Sequence, residues 1–132
     1  MDLMNLVPKN DTVEVKIKHP GTKEILKNDD GSEMFIVVYA QHTKQYKKAL
    51  HDLANKRLKA AQSKGAKDIT MEDLENAALE TLVKVTKEWN ITYNGEQPKL
   101  TEAKVREVYE KVFWIKPQID QALEEALDFI LA

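Results

Sequence analysis

The chain has 132 residues and 15.1 kDa, enough for one domain with its own core and too few for two. Its 42% hydrophobic and 32% charged content and net charge of -2 match a soluble globular protein with no overall pull towards nucleic acid. There are no cysteines, which excludes disulfides, thiolate metal sites and thiol nucleophiles.

Met1 to Asn10 has no periodicity and contains Pro8, so residues 1–10 read as a flexible lead-in to a single domain over 1–132. Val13, Val15 and Ile17 alternate with polar residues, the period of a half-buried strand, and His19-Pro20-Gly21-Thr22 ends it in a turn. Ile25 and Leu26 offer a short second strand before the turn residues Asn28-Asp29-Asp30-Gly31. Met34 to Tyr39 is continuous, β-branched and aromatic, the pattern of the most buried strand of a small antiparallel sheet.

Thr43 is placed to cap a helix whose stripe is Tyr46, Ala49, Leu50, Leu53, Ala54, Leu58 and Ala61, with Gly65 as its stop. Thr70 and Asp73 have the spacing of a capping box, opening a helix with the stripe Leu74, Ala77, Ala78, Thr81, Leu82, Val85 and Trp89. From Gln41 to Lys67 eight basic residues face the single acid Asp52, while from Asp68 to Glu88 six acids face Lys84 and Lys87. A basic helix is thus followed by an acidic one. Their edges either complement each other in an antiparallel pair or form a stripe for a partner.

Trp89 closes that run, Asn94-Gly95 forms a turn, and Thr101 caps a helix carrying Val105, Val108, Tyr109, Val112 and Phe113. After Pro117, Ile119, Ala122, Leu123, Ala126, Leu127 and Ile130 mark the last helix. The expected fold class is α+β, a small N-terminal antiparallel sheet of two to three strands packed with about four helices.

Chemistry is hard to find in this chain. His19, His42 and His51 lack helical metal-pair spacing, and Asn28 to Glu33 lacks the distal ligand of a calcium loop. The four glycines are isolated, so none builds a phosphate loop, and adjacent acids such as Glu124-Glu125 diverge by about 100° around a helix. Neither an enzyme nor a cofactor site is expected. In the basic helix the lone aromatic, Tyr46, sits on the apolar stripe rather than among the lysines, unlike single-strand nucleic-acid binders. The features that do ask for a partner are apolar. Phe113 and Trp114 either plug the core or, with Trp114 off the helix stripe, project as an anchor. Ile119, Leu123, Leu127, Ile130 and Leu131 make the last helix apolar on more than one side, which suggests self-association.

The order of a Trp-closed helix, a polar link with Gly95 and Pro98, a helix capped by Thr101, and a last helix with Ile115, Gln118, Ile119, Ala122 and Phe129 resembles tail assembly chaperones of long-tailed, siphovirus-type bacteriophages. The resemblance implies a protein of the host cell cytoplasm that binds the tape measure protein, keeps it soluble, promotes assembly of the tail tube from its tail tube protein, and is absent from the mature virion. Many members of that family also exist as a longer frameshifted form; independently of it, no apolar run approaches the ~18 residues of a membrane span, so no membrane role is expected, and the apolar breadth of the last helix points to a homo-oligomer. The alternatives are a structural tail or head-completion component retained in the particle, or a nucleic-acid-associated regulator using the basic helix 43–64.

Overall fold

The computed structural model describes residues 2–6, 10–64 and 70–126 of the chain. They form a three-stranded antiparallel sheet and four α-helices, an α+β architecture. The strands are β1 (Thr12–Lys16), β2 (Phe35–Tyr39) and β3 (Thr86–Asn90), with β2 in the middle. The helices are α1 (Lys44–Lys64), α2 (Met71–Val85), α3 (Glu102–Lys111) and α4 (Ile115–Glu125). Within the expected lead-in, Leu3–Leu6 make one 3-10 turn, and Leu3 and Met4 are exposed.

β1 and β2 follow the pattern of their sequence. Val15 pairs with Ile36 and Val13 with Val38, so the branched side chains of both strands share the inner face. Residues 25 and 26 do not form a second strand. Instead Leu26 donates to the Ile17 carbonyl and accepts from Met34 N–H, a pair of single bridges that extends the β1–β2 hairpin outward.

The third strand comes from elsewhere. α2 ends at Val85, and Thr86–Asn90, expected as the last turn of that helix, pairs with β2, with Ile36 opposite Trp89. Sheet pairing buries Trp89 against the core and satisfies its indole, whose N–H donates to the Pro98 carbonyl at 2.9 Å. The register shifts between Val37 and Val38, whose partners are Glu88 and Thr86, so Lys87 is bulged and both charged residues face solvent.

At the α2–β3 junction Thr86 is buried and its hydroxyl donates to Leu82 O at 2.6 Å. That hydroxyl has a single proton, so the Tyr109 phenol of α3, 2.7 Å away, is the donor of the second bond. The core is drawn from β1, β2 and all four helices, with Trp89 of β3 packed against it: Val15, Ile36, Val38, Ala49, Leu82, Val85, Val105, Val108, Ile119 and Leu123 belong to it. The helix starts behave as their sequences predict. Thr70 and Asp73 form a reciprocal capping box, and Thr43 and Thr101 accept from Tyr46 N–H and Lys104 N–H. α4 begins two residues before Pro117, which occupies the first turn, where a missing N–H costs nothing.

Candidate interaction surface

The base of the molecule is occupied with holding itself together. Asn28 is buried in the turn after the Leu26 bridge; its amide reaches Ser32 and the Asn90 carbonyl, and its oxygen accepts from Thr92 at 2.6 Å. Asp30 accepts from the Ser32 hydroxyl and N–H, and these bonds hold its carboxyl below the usual carboxylate range. The Asn28–Glu33 turn is therefore an internal lock onto β3. Among the described residues no group of three or more His, Asp or Glu could hold a metal ion. His19 uses Nδ1 to accept from Gly21 and Thr22 N–H, His42 lies 3.8 Å from Asp11, and His51 is exposed on α1.

A cavity of about 170 Å³ opens between the sheet and α3, lined by Ile17, Leu26, Met34, Ile91, Trp114 and Ile115 among others. It is smaller than the ~300–1,000 Å³ of ordinary ligand pockets. The Thr92 hydroxyl on its wall is already bonded to Asn28, so it offers little polar chemistry to orient a substrate.

The residues singled out from the sequence separate. Trp114 turns inward to wall this cavity, whereas Phe113 stands out at 76% exposure on the turn between α3 and α4. Ile119 and Leu123 are core residues of α4, which packs on β1, so they cannot serve as an oligomer contact in the folded chain. Leu127, Ile130 and Leu131 lie outside the described residues.

The surface that sequence reasoning missed is on the α1–α2 pair. The stripe of α1 was expected to be core over its whole length, but Ala49 is its last described residue to be buried. From Leu50 to Lys59 and from Thr70 to Glu80 no described residue is buried. The two helices therefore leave the base as an antiparallel hairpin supported chiefly by one another. Lys56 reaches Glu80 at 3.5 Å, and Arg57 donates to the Asp73 carbonyl at 3.2 Å. Arg106 of α3 binds Glu80 at 3.1 Å and braces the hairpin on that flank.

The hairpin carries large apolar side chains in the open: Leu50 at 46%, Leu58 at 61%, Met71 at 72% and Leu74 at 47% exposure. Leu50, Ala54 and Leu58 are spaced by four, as are Leu74 and Ala78, so each set is a continuous line on its helix. At 100° per residue, the first set lies about 120–160° around α1 from Lys56 and the second the same distance around α2 from Glu80. Both lines thus sit on the flank away from Lys56, Glu80 and Arg106, and together they form one apolar seam. The signal available in the sequence was the charge: a helix with seven cations and one acid has too little apolar surface to be packed on all of its length.

Comparison with protein-family models, with curated proteins and with solved structures found no match to this chain. Among the described residues no helix is long and apolar enough to cross a membrane.

Proposed function

We propose that this protein is an assembly chaperone that works by binding, with the α1–α2 hairpin as the arm that engages its client. The observation that carries the reading is the exposed leucine seam on the outer part of the hairpin, where from Leu50 to Lys59 and from Thr70 to Glu80 no described residue is buried. An apolar line on a helix is the surface that an amphipathic helix of another chain covers, with residues three and four apart as anchors. A client made of long apolar helices is the kind of protein that needs such cover, and the resemblance of the C-terminal third names one: the tape measure protein of a long-tailed phage. In this reading the chaperone acts in the host cytoplasm, holds the tape measure protein soluble, hands it to the tail tube protein, and leaves before the particle is complete. It performs no covalent step.

Affinity capture of the tape measure protein by the purified chain, together with mass spectrometry of finished particles, tests the proposal. Capture of the client and absence of the chain from particles are expected. A chain present in particles at a fixed copy number would instead make it a structural component.

A further inference from the structure

α1 has a second exposed face, and it is polar. Lys44, Lys48, His51, Asn55 and Lys59 follow one another at intervals of four, three, four and four residues, so they form one row within an arc of about 80° of the helix. All five are exposed, and none makes a hydrogen bond or ion pair with a described residue. The row lies about 150° around α1 from the midline between Lys56 and Arg57, the side chains that reach α2, and about 100° from the centre of the leucine line. It is the back of the hairpin, turned away from α2 and separate from the seam. Asp52, the one acid of α1, stands at its edge beside Lys48.

Every member of the row can donate a hydrogen bond, none carries a carboxylate, and no aromatic or aliphatic residue lies among them. A linear polyanion is the partner that such a row fits. Duplex DNA presents about one phosphate per 3.4 Å along each strand, so the ~22 Å from Lys44 to Lys59 spans about six phosphates. Without aromatic side chains the row cannot stack bases, which is how single strands are held. An anionic lipid surface fits less well, since a helix lying in it buries an apolar face and this row has no apolar member. The net charge of -2 does not oppose the contact at physiological salt, because the acids of α2 lie behind a helix ~10 Å across, beyond a Debye length of ~8 Å. We propose that the back of the hairpin binds the phosphate backbone of double-stranded DNA without regard to base sequence, with Lys44, Lys48 and Lys59 neutralising phosphates and Asn55 donating to one. The contact rests on this row alone and not on the chaperone reading, and it leaves the leucine seam open.

Fluorescence anisotropy of a short labelled DNA duplex of arbitrary sequence, titrated with the purified chain at several salt concentrations, is the test. Binding is expected at ~50 mM salt, with log affinity falling against log salt at a slope near -3, about 0.9 for each of the three lysines. Lys48→Ala and Lys59→Ala should each make the slope shallower by about 1. Lys56→Ala, the same loss of charge at a position off the row, should leave the slope unchanged. Asp52→Asn should tighten binding at least about twofold. All four positions are exposed, so helicity by circular dichroism should be the same in every variant. A duplex of different sequence should bind equally, and a single strand of the same length more weakly. No binding at ~50 mM salt, or a slope that Lys56→Ala changes as much as Lys48→Ala and Lys59→Ala do, would overturn the proposal. Tighter binding to the single strand, or binding to vesicles of anionic phospholipid without binding to the duplex, would overturn it as well.

Discussion

The Tyr109 phenol shows how a single buried group ties two elements together and makes stability depend on pH. Burial pushes it up to about 12 from an ordinary value near 10, because the charged form would sit in the core beside Thr86. The folded chain thus holds the proton more tightly than the unfolded chain, so this contribution is fully present below pH ~10 and is lost as pH rises through ~12. A shift of that size corresponds to about 2–3 kcal/mol. Denaturation midpoints measured from neutral to strongly alkaline pH should fall across that window, and Tyr109→Phe should flatten the fall. At neutral pH the same substitution removes one hydrogen bond but leaves Thr86 bonded to Leu82, so its cost should be only about 1 kcal/mol. Trp89 is a second test at this scale. Its ring packs against the core and its N–H is bonded to Pro98, so Trp89→Ala should cost about 3–5 kcal/mol by chemical denaturation. Trp89→Phe should keep most of the packing.

Among the elements, those whose signal is local are the ones that could be read from the chain alone. The Thr70–Asp73 box, the Thr101 cap and the Asn94-Gly95 turn, with φ of 54 and 78, need only neighbours in sequence, and all three form as the residues demand. β3 needs a partner far away. Trp89 lies at helical spacing from Leu82 and Val85, so in sequence the stripe of α2 runs on, and only pairing with β2 makes the strand the better use of those residues. The density of β-branched and aromatic residues from Trp89 to Tyr93 was the signal of a strand. The last helix misled in the opposite way. Its wide apolar pattern reads as a free surface, yet Ile119 and Leu123 fill the space over β1, and no local rule distinguishes the two uses.

Gln118 of the same helix gives this element a role of its own. Its amide accepts from Lys18 N–H at 2.9 Å and donates to Lys18 O at 2.8 Å, taking the place of a neighbouring strand just beyond the outer end of β1. Gln118→Ala should open that edge, at a cost of about 1–2 kcal/mol. Hydrogen exchange should then show loss of protection at Lys18 with the β2 amides unaffected.

At the scale of the whole molecule the chain divides labour. The base contains the core and the hydrogen-bonded Asn28 turn, and the hairpin contributes exposed leucines. This difference is measurable by substitution. Leu58→Glu and Leu74→Glu should change folding stability by no more than about 0.5 kcal/mol, whereas Ile119→Glu, a charge in the core, should unfold the protein. The central claim is that those hairpin leucines exist for a client. The most direct measurement is the soluble fraction of the tape measure protein when it is produced with the unaltered chain and with the Leu58→Glu, Leu74→Glu double variant. The account predicts a soluble client with the former and an insoluble one with the latter, although the variant itself folds. A client kept equally soluble by both would contradict it.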